Sequence, residues 1–144
     1  MAVFVHGGSF VSGSNTSPNI FRGVDYCRRG IILVNINYRL NAFATGYDKT
    51  HHGNYALKDQ VAALTWVREN IAAFGGDPDR VTLMGESAGA LSVQLLMYCP
   101  YAKGLFRGAV MMSGGGDFGQ LGTPARAAIS EAVWQMVMER FGVQ

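Results

Sequence analysis

The sequence predicts an α/β fold, a mostly parallel sheet with helices on both faces. Three observations carry this. Short apolar runs, several of them β-branched, alternate with stretches of helical periodicity along the 144 residues. One such run, Arg80-Val81-Thr82-Leu83-Met84, passes through a corner of small residues, Gly85-Glu86-Ser87-Ala88-Gly89, straight into apolar helical spacing. Hydrophobic residues make up 49% of the chain and charged ones only 15%, a balance that suits strands buried on both faces.

The elements follow in order. Residues 2–5 form an apolar strand that runs into His6-Gly7-Gly8-Ser9. A weak helical pattern covers 18–29, and a second strand covers 31–36. The clearest helix is 54–73, where Leu57, Val61, Leu64, Val67, Ile71 and Phe74 mark one face. Gly53-Asn54 opens it and Gly75-Gly76-Asp77-Pro78 stops it. A strand at 80–84 precedes a helix at 88–97, in which Leu91, Leu95 and Leu96 recur at helical spacing. A strand at 108–112 and a helix at 124–141 complete one unit, with no internal repeat or low-complexity segment.

Ser87 stands where a strand meets a helix, with glycine two residues before and two after. Gly-x-Ser-x-Gly fixes only three positions, so alone it is weak; the strand before it and the helix after it supply the context that gives it meaning. Glycines at 85 and 89 remove side chains that would collide across so tight a turn. The corner lifts the serine hydroxyl clear and sets the Ala88 amide at a helix N-terminus, where N–H groups are unpaired. A hydroxyl beside an anion-binding amide is what acyl transfer needs. The first strand runs into Gly7-Gly8, whose exposed amides can supply the other half of an oxyanion hole. Both segments follow strand ends, so they can face the same crevice.

The segments "VFVHGGSFVSGS", "GIILVNINYRLNAF", "GNYALKDQVAALTWVRENIAAFGGDPDRVTLMGESAGA" and "GLFRGAVMMSG" resemble, in order and interval, those of the type-B carboxylesterases, the α/β-hydrolase branch that includes cholinesterases. The resemblance covers most of residues 2–114 and implies an α/β-hydrolase fold, here in part. It implies hydrolysis of a small-molecule carboxylic ester through an acyl-serine at Ser87. Backbone amides of Gly7, Gly8, Ser9 and Ala88 would form the oxyanion hole, and Glu86 would act electrostatically close by. No metal or organic cofactor is implied. Ser9 departs from the pattern, since many members carry a third glycine there and others alanine; the donor is a backbone N–H, so a small side chain should be tolerated.

In this fold the catalytic order is serine, then acid, then histidine. His6, His51 and His52 all precede Ser87, and only Asp117, Glu131 and Glu139 are acids that follow it. His6 suits holding the glycine loop, His51-His52 a polar loop, Asp117 a loop and the two glutamates a solvated helix face. The expectation is therefore that residues 1–144 are the N-terminal-to-central part of one domain, incomplete at both ends, with base and acid elsewhere. The alternatives are a non-catalytic adhesion or binding member, which this family includes, or an inactive truncated fragment.

Other classes are disfavoured. The net charge of +2 is too small for nucleic-acid binding, and no basic cluster exceeds Arg28-Arg29. No apolar run approaches a membrane span. Cys27 and Cys99 lack metal-like spacing and are expected to be free and buried, with a disulfide between them left open. Compartment and oligomeric state stay open. Two side-chain expectations follow from the resemblance: Arg39 and Asp59 should form a buried or half-buried ion pair, and Glu86 should point away from bulk solvent.

Overall fold

The computed structural model of the chain describes residues 1–17, 22–46, 53–116 and 124–142. Within them lie four strands, β1 (Ala2–Val5), β2 (Leu33–Ile36), β3 (Thr82–Glu86) and β4 (Gly108–Met112), all parallel and ordered β2-β1-β3-β4. Five helices join them: α1 (Gly23–Cys27), α2 (Ala42–Thr45), α3 (Tyr55–Asn70), α4 (Ala88–Tyr98) and α5 (Pro124–Phe141). The predicted alternation of strand and helix holds, with α2 and a 3-10 turn at Pro100–Ala102 added. Helix α1 is shorter than the 18–29 expectation, whose residues 18–21 lie outside the described residues.

The core forms where β1 and β3 meet α3 and α4. Val3, Val5, Leu83, Leu64, Val67 and Val93 are sealed from solvent there. Along β3 burial alternates residue by residue, Leu83 and Gly85 inside, Thr82 and Met84 half-covered, the period of a pleated strand. Helix α3 buries Leu64 and Val67 of its predicted face, and Ile71 just beyond it, and packs Leu57 and Val61 against the cluster.

Phe74 corrects that reading: it is 64% exposed and leans on Trp66, ring centroids 5.9 Å apart. The α-helix ends at Asn70 and continues as a 3-10 turn over Ile71–Phe74. Three residues per turn instead of 3.6 swing Phe74 off the apolar face. Gly75, at φ 79°, then ends the turn with its N–H on Ala72 O at 3.0 Å.

Strand β3 also lies two residues later than expected, reaching Glu86 instead of stopping at Met84. Gly85 and Glu86 are poor strand formers in isolation, but β4 offers Met111 and Met112 as ladder partners for them. Cys27 and Cys99 are both free; Cys27 is exposed, against expectation, because the short helix α1 buries none of its residues.

Candidate active site

The sheet register builds the site. Val5 of β1 pairs with Gly85 of β3, so the residues two further along each strand, Gly7 and Ser87, emerge side by side. A Cβ on Gly7 would sit 3.1 Å from Ser87 Cβ and 2.7 Å from a Glu86 carboxylate oxygen. Glycine at 7 is thus required by close approach, and the N-terminal glycine loop rests directly on the serine corner.

Ser87 adopts φ 54° and ψ −119°, a conformation that a residue with a Cβ rarely takes. Two hydrogen bonds and the packing of two glycines hold it there. Its N–H donates to Met112 O at 2.9 Å, and its carbonyl accepts from Leu91 N at 3.1 Å. A Cβ on Gly85 would collide with the Gly89 backbone, and one on Gly89 with the Val5 carbonyl. The first turn of α4 therefore packs on the ends of β1 and β3 with no room for another carbon. That turn sets the Ala88 N–H at the open end of an eleven-residue helix.

The loop after β1 turns sharply. Gly8 has φ 104°, Ser9 φ 58° and Phe10 φ 61°. Ser9 occupies, at the usual cost of a side chain in the left-handed region, a conformation that a glycine would take freely. Val11 and Ser12 N–H groups close the turn on Gly8 O at 2.9 and 3.0 Å. Among the described residues, no loop or cap hydrogen bond takes its proton from the Gly8, Ser9 or Ala88 amide.

His6 anchors this loop from beneath, as expected. It is 2% exposed, stacks on Tyr38 at 4.4 Å and holds Nδ1 2.8 Å from Gly7 O. A carbonyl only accepts, so Nδ1 carries the proton in this bond. Tyr38, which sequence reasoning did not single out, donates its hydroxyl to His6 O at 2.7 Å. Burial pushes the Tyr38 phenol up to about 12.

Arg39 and Asp59 pair as expected. Arg39 Nε and Nη2 reach the two carboxylate oxygens at 2.8 and 2.7 Å, and the Arg39 backbone N–H adds a bond at 2.9 Å. The side chains are 48% and 26% exposed, so the pair is half-buried. Burial pushes the Asp59 carboxyl up, but the hydrogen bonds and charge of Arg39 outweigh it and hold the group below its usual range. The pair pins the end of the β2 segment to α3, behind the loop that His6 and Tyr38 support.

Glu86 corrects the second expectation: it is exposed. It ends β3 at the carboxyl end of the sheet, and its carboxylate lies against Gly7. Glu139 is exposed and Glu131 half-exposed on α5, as solvated helix residues are. His51, His52 and Asp117 lie outside the described residues. Among the described residues no group of three or more metal-binding side chains occurs.

A parallel sheet whose central strands deliver a strained serine corner and a glycine loop to one point defines an α/β-hydrolase esterase fold, present here in part. The chain belongs to the carboxylesterase family, whose profile matches residues 1–126. It is 47% identical over 117 residues to the para-nitrobenzyl esterase of Bacillus subtilis (strain 168), which covers 78% of this chain and 24% of that enzyme. It is 44% identical over 115 residues to neuroligin-2 of Mus musculus, covering 78% of this chain and 13% of that protein. The solved structure of a thermophilic PNB esterase superposes with a TM-score of 0.82 at 40% identity, covering 99% of this chain and 29% of that one. The chain thus spans between 13% and 29% of the length of these relatives.

Proposed function

We propose that this chain carries the nucleophile and oxyanion hole of a carboxylic ester hydrolase. Ser87 Oγ attacks the ester carbonyl carbon, and the carbonyl oxygen takes the negative charge. Backbone N–H groups of the Gly7–Ser9 loop and of Ala88 receive that oxyanion. The alcohol leaves, Ser87 holds the acyl group, and water releases the acid and restores the serine.

The observation that carries this reading is the close approach of Gly7 to Ser87, which sets the glycine loop against a strained serine corner. The base and its acid are proposed to come from outside these residues. Glu86 is proposed to stabilise positive charge on that base once it has taken the Ser87 proton. Without a base, Ser87 remains a neutral hydroxyl, and the chain alone should turn over an activated ester far more slowly than a complete esterase. The remaining hole and binding groups are worth roughly 10³–10⁴-fold over water where triad members are lost.

The test is hydrolysis of a p-nitrophenyl ester by the purified chain beside its Ser87→Ala variant. Slow, Ser87-dependent release is expected; turnover at the rate of a complete esterase would mean that a residue of this chain supplies the base. A non-catalytic binding role is the second reading, favoured by the identity with neuroligin-2, a relative whose name denotes no hydrolase. Identical p-nitrophenol release by both chains would favour it.

A further inference from the structure

Ser87 and Ala88 share one rigid peptide plane, with the Ser87 carbonyl at one end and the Ala88 N–H at the other. Whatever braces the carbonyl therefore aims the N–H. Part of the brace is helical, the bond from Leu91 N. The rest is the chain after β4. Gly114 lies so close that a Cβ there would run into the Ser87 carbonyl and come within 2.9 Å of Ala90 Cβ. Two residues earlier, Met112 O holds the Ser87 N–H.

This brace is made of the least constrained backbone near the site. Ser113 has φ 52°, and three glycines follow it, Gly115 at φ 108° and Gly116 at φ 120°. Glycines lose the most freedom on ordering, so such a run stays fixed only if something holds it. The holder is Gln94. Its Nε2 donates to Gly116 O at 3.2 Å, and its Oε1 accepts from Gly116 N at 3.0 Å. The side-chain amide thus pairs with the Gly116 backbone through both of its groups. Gln94 stands seven residues after Ser87 on α4, two turns along the same helix face, where it reaches the far end of the run.

We propose that Gln94 is a positioning residue for the Ser87–Ala88 peptide, clasping Gly116 so that the glycine run stays against the Ser87 carbonyl and the Ala88 N–H keeps its aim. This rests on the proposed role of Ala88 as an oxyanion donor. Hydrogen bonds weaken steeply as their angle opens. A tilted donor therefore costs stabilisation of the developing oxyanion while leaving ground-state binding nearly unchanged.

The test uses the full chain and a fluorophosphonate, followed by intact mass. Ser87 Oγ forms a bond to phosphorus as the P–F bond breaks; fluoride leaves and the proton passes to solvent. Ser87→Ala sets the blank, and hydrogen exchange at the Gly116 amide reports the clasp directly. Gln94→Leu, similar in volume, should lose protection at Gly116. It should lower the limiting modification rate about tenfold, a fraction of the 10²–10³-fold that a whole oxyanion donor is worth, with the half-saturating probe concentration unchanged. Gln94→Glu keeps an acceptor for the Gly116 N–H and should return part of the rate. Unchanged exchange in Gln94→Leu would show that the clasp does not hold the run. Lost protection with an unchanged rate, or a change confined to half-saturation, would overturn the positioning role. Absence of modification in the unsubstituted chain would overturn the proposed function and this proposal with it, a result distinct from the other two.

Discussion

Strands β1 and β4 both deliver their carboxyl ends to Ser87, yet they do it in opposite ways. Every residue of β1 is buried, and the contact it makes is backbone on backbone, Val5 and His6 carbonyls against Gly89. Strand β4 sits at the sheet edge with Val110 39% and Met111 44% exposed, and it reaches Ser87 through one hydrogen bond and a glycine run. The first support is hard, because close-packed atoms leave no alternative position. The second is soft and depends on polar bonds from Gln94. The serine corner is thus fixed rigidly on the side of the glycine loop and adjustably on the other.

Substitutions that attack the hard side should be the most damaging. Gly89→Ala drives a methyl into the Val5 carbonyl, and backbone cannot yield as a flexible side chain can. A loss above about 4 kcal/mol is expected, at the extreme of single substitutions, read as a failure to fold in urea titrations. Leu64→Ala, in the sealed core behind β1 and β3, should cost about 2–5 kcal/mol. Val110→Thr on the exposed edge strand should stay within about 0.5 kcal/mol. Equal losses for these two would erase the contrast between the strands.

The loop side can also be probed by pH. The folded Tyr38 phenol is raised to about 12 against an ordinary value near 10, so folding binds a proton more tightly than the unfolded chain does. Its contribution is whole below pH 10 and declines as pH rises toward 12, by roughly 2–3 kcal/mol. Ionisation also removes the proton that Tyr38 donates to His6 O. Tyr38→Phe should flatten this alkaline decline in urea titrations run across that range.

A weaker pH effect belongs to Asp59. Its folded carboxyl is held below the unfolded value, so the stabilisation is present above that value and fades as pH falls through the folded one. Half-exposure of the pair limits the cost of Asp59→Asn to about 1 kcal/mol at neutral pH. That is well short of the 3–5 kcal/mol expected of a buried pair. The difference from the unsubstituted chain should shrink in acid.

Much of this was legible in the sequence because it is local. An apolar run places β1, helical spacings place α3 and α4, and the glycines at 85 and 89 mark a corner whose tightness the structure bears out. The Arg39–Asp59 pair was legible through the family resemblance. The rest depends on which strand lies beside which. Glu86 joins β3 because β4 pairs with it, and it is exposed because it falls at the carboxyl end of the strand. Phe74 turns outward with a change of helical pitch that its own spacing does not announce. The Tyr38–His6 and Gln94–Gly116 bonds join residues 32 and 22 positions apart, and no periodicity connects side chain to backbone over such distances.

The central claim is that Ser87, alone among the chain's hydroxyls and amines, takes an acyl group at the corner built by β1, β3 and α4. The most direct measurement is peptide mapping by mass spectrometry after brief incubation of the chain with p-nitrophenyl acetate. The account predicts an acetyl group on the peptide carrying Ser87, absent from Ser87→Ala and lost on treatment with hydroxylamine. Acetylation scattered over lysines and histidines, with Ser87 unmodified, would contradict it.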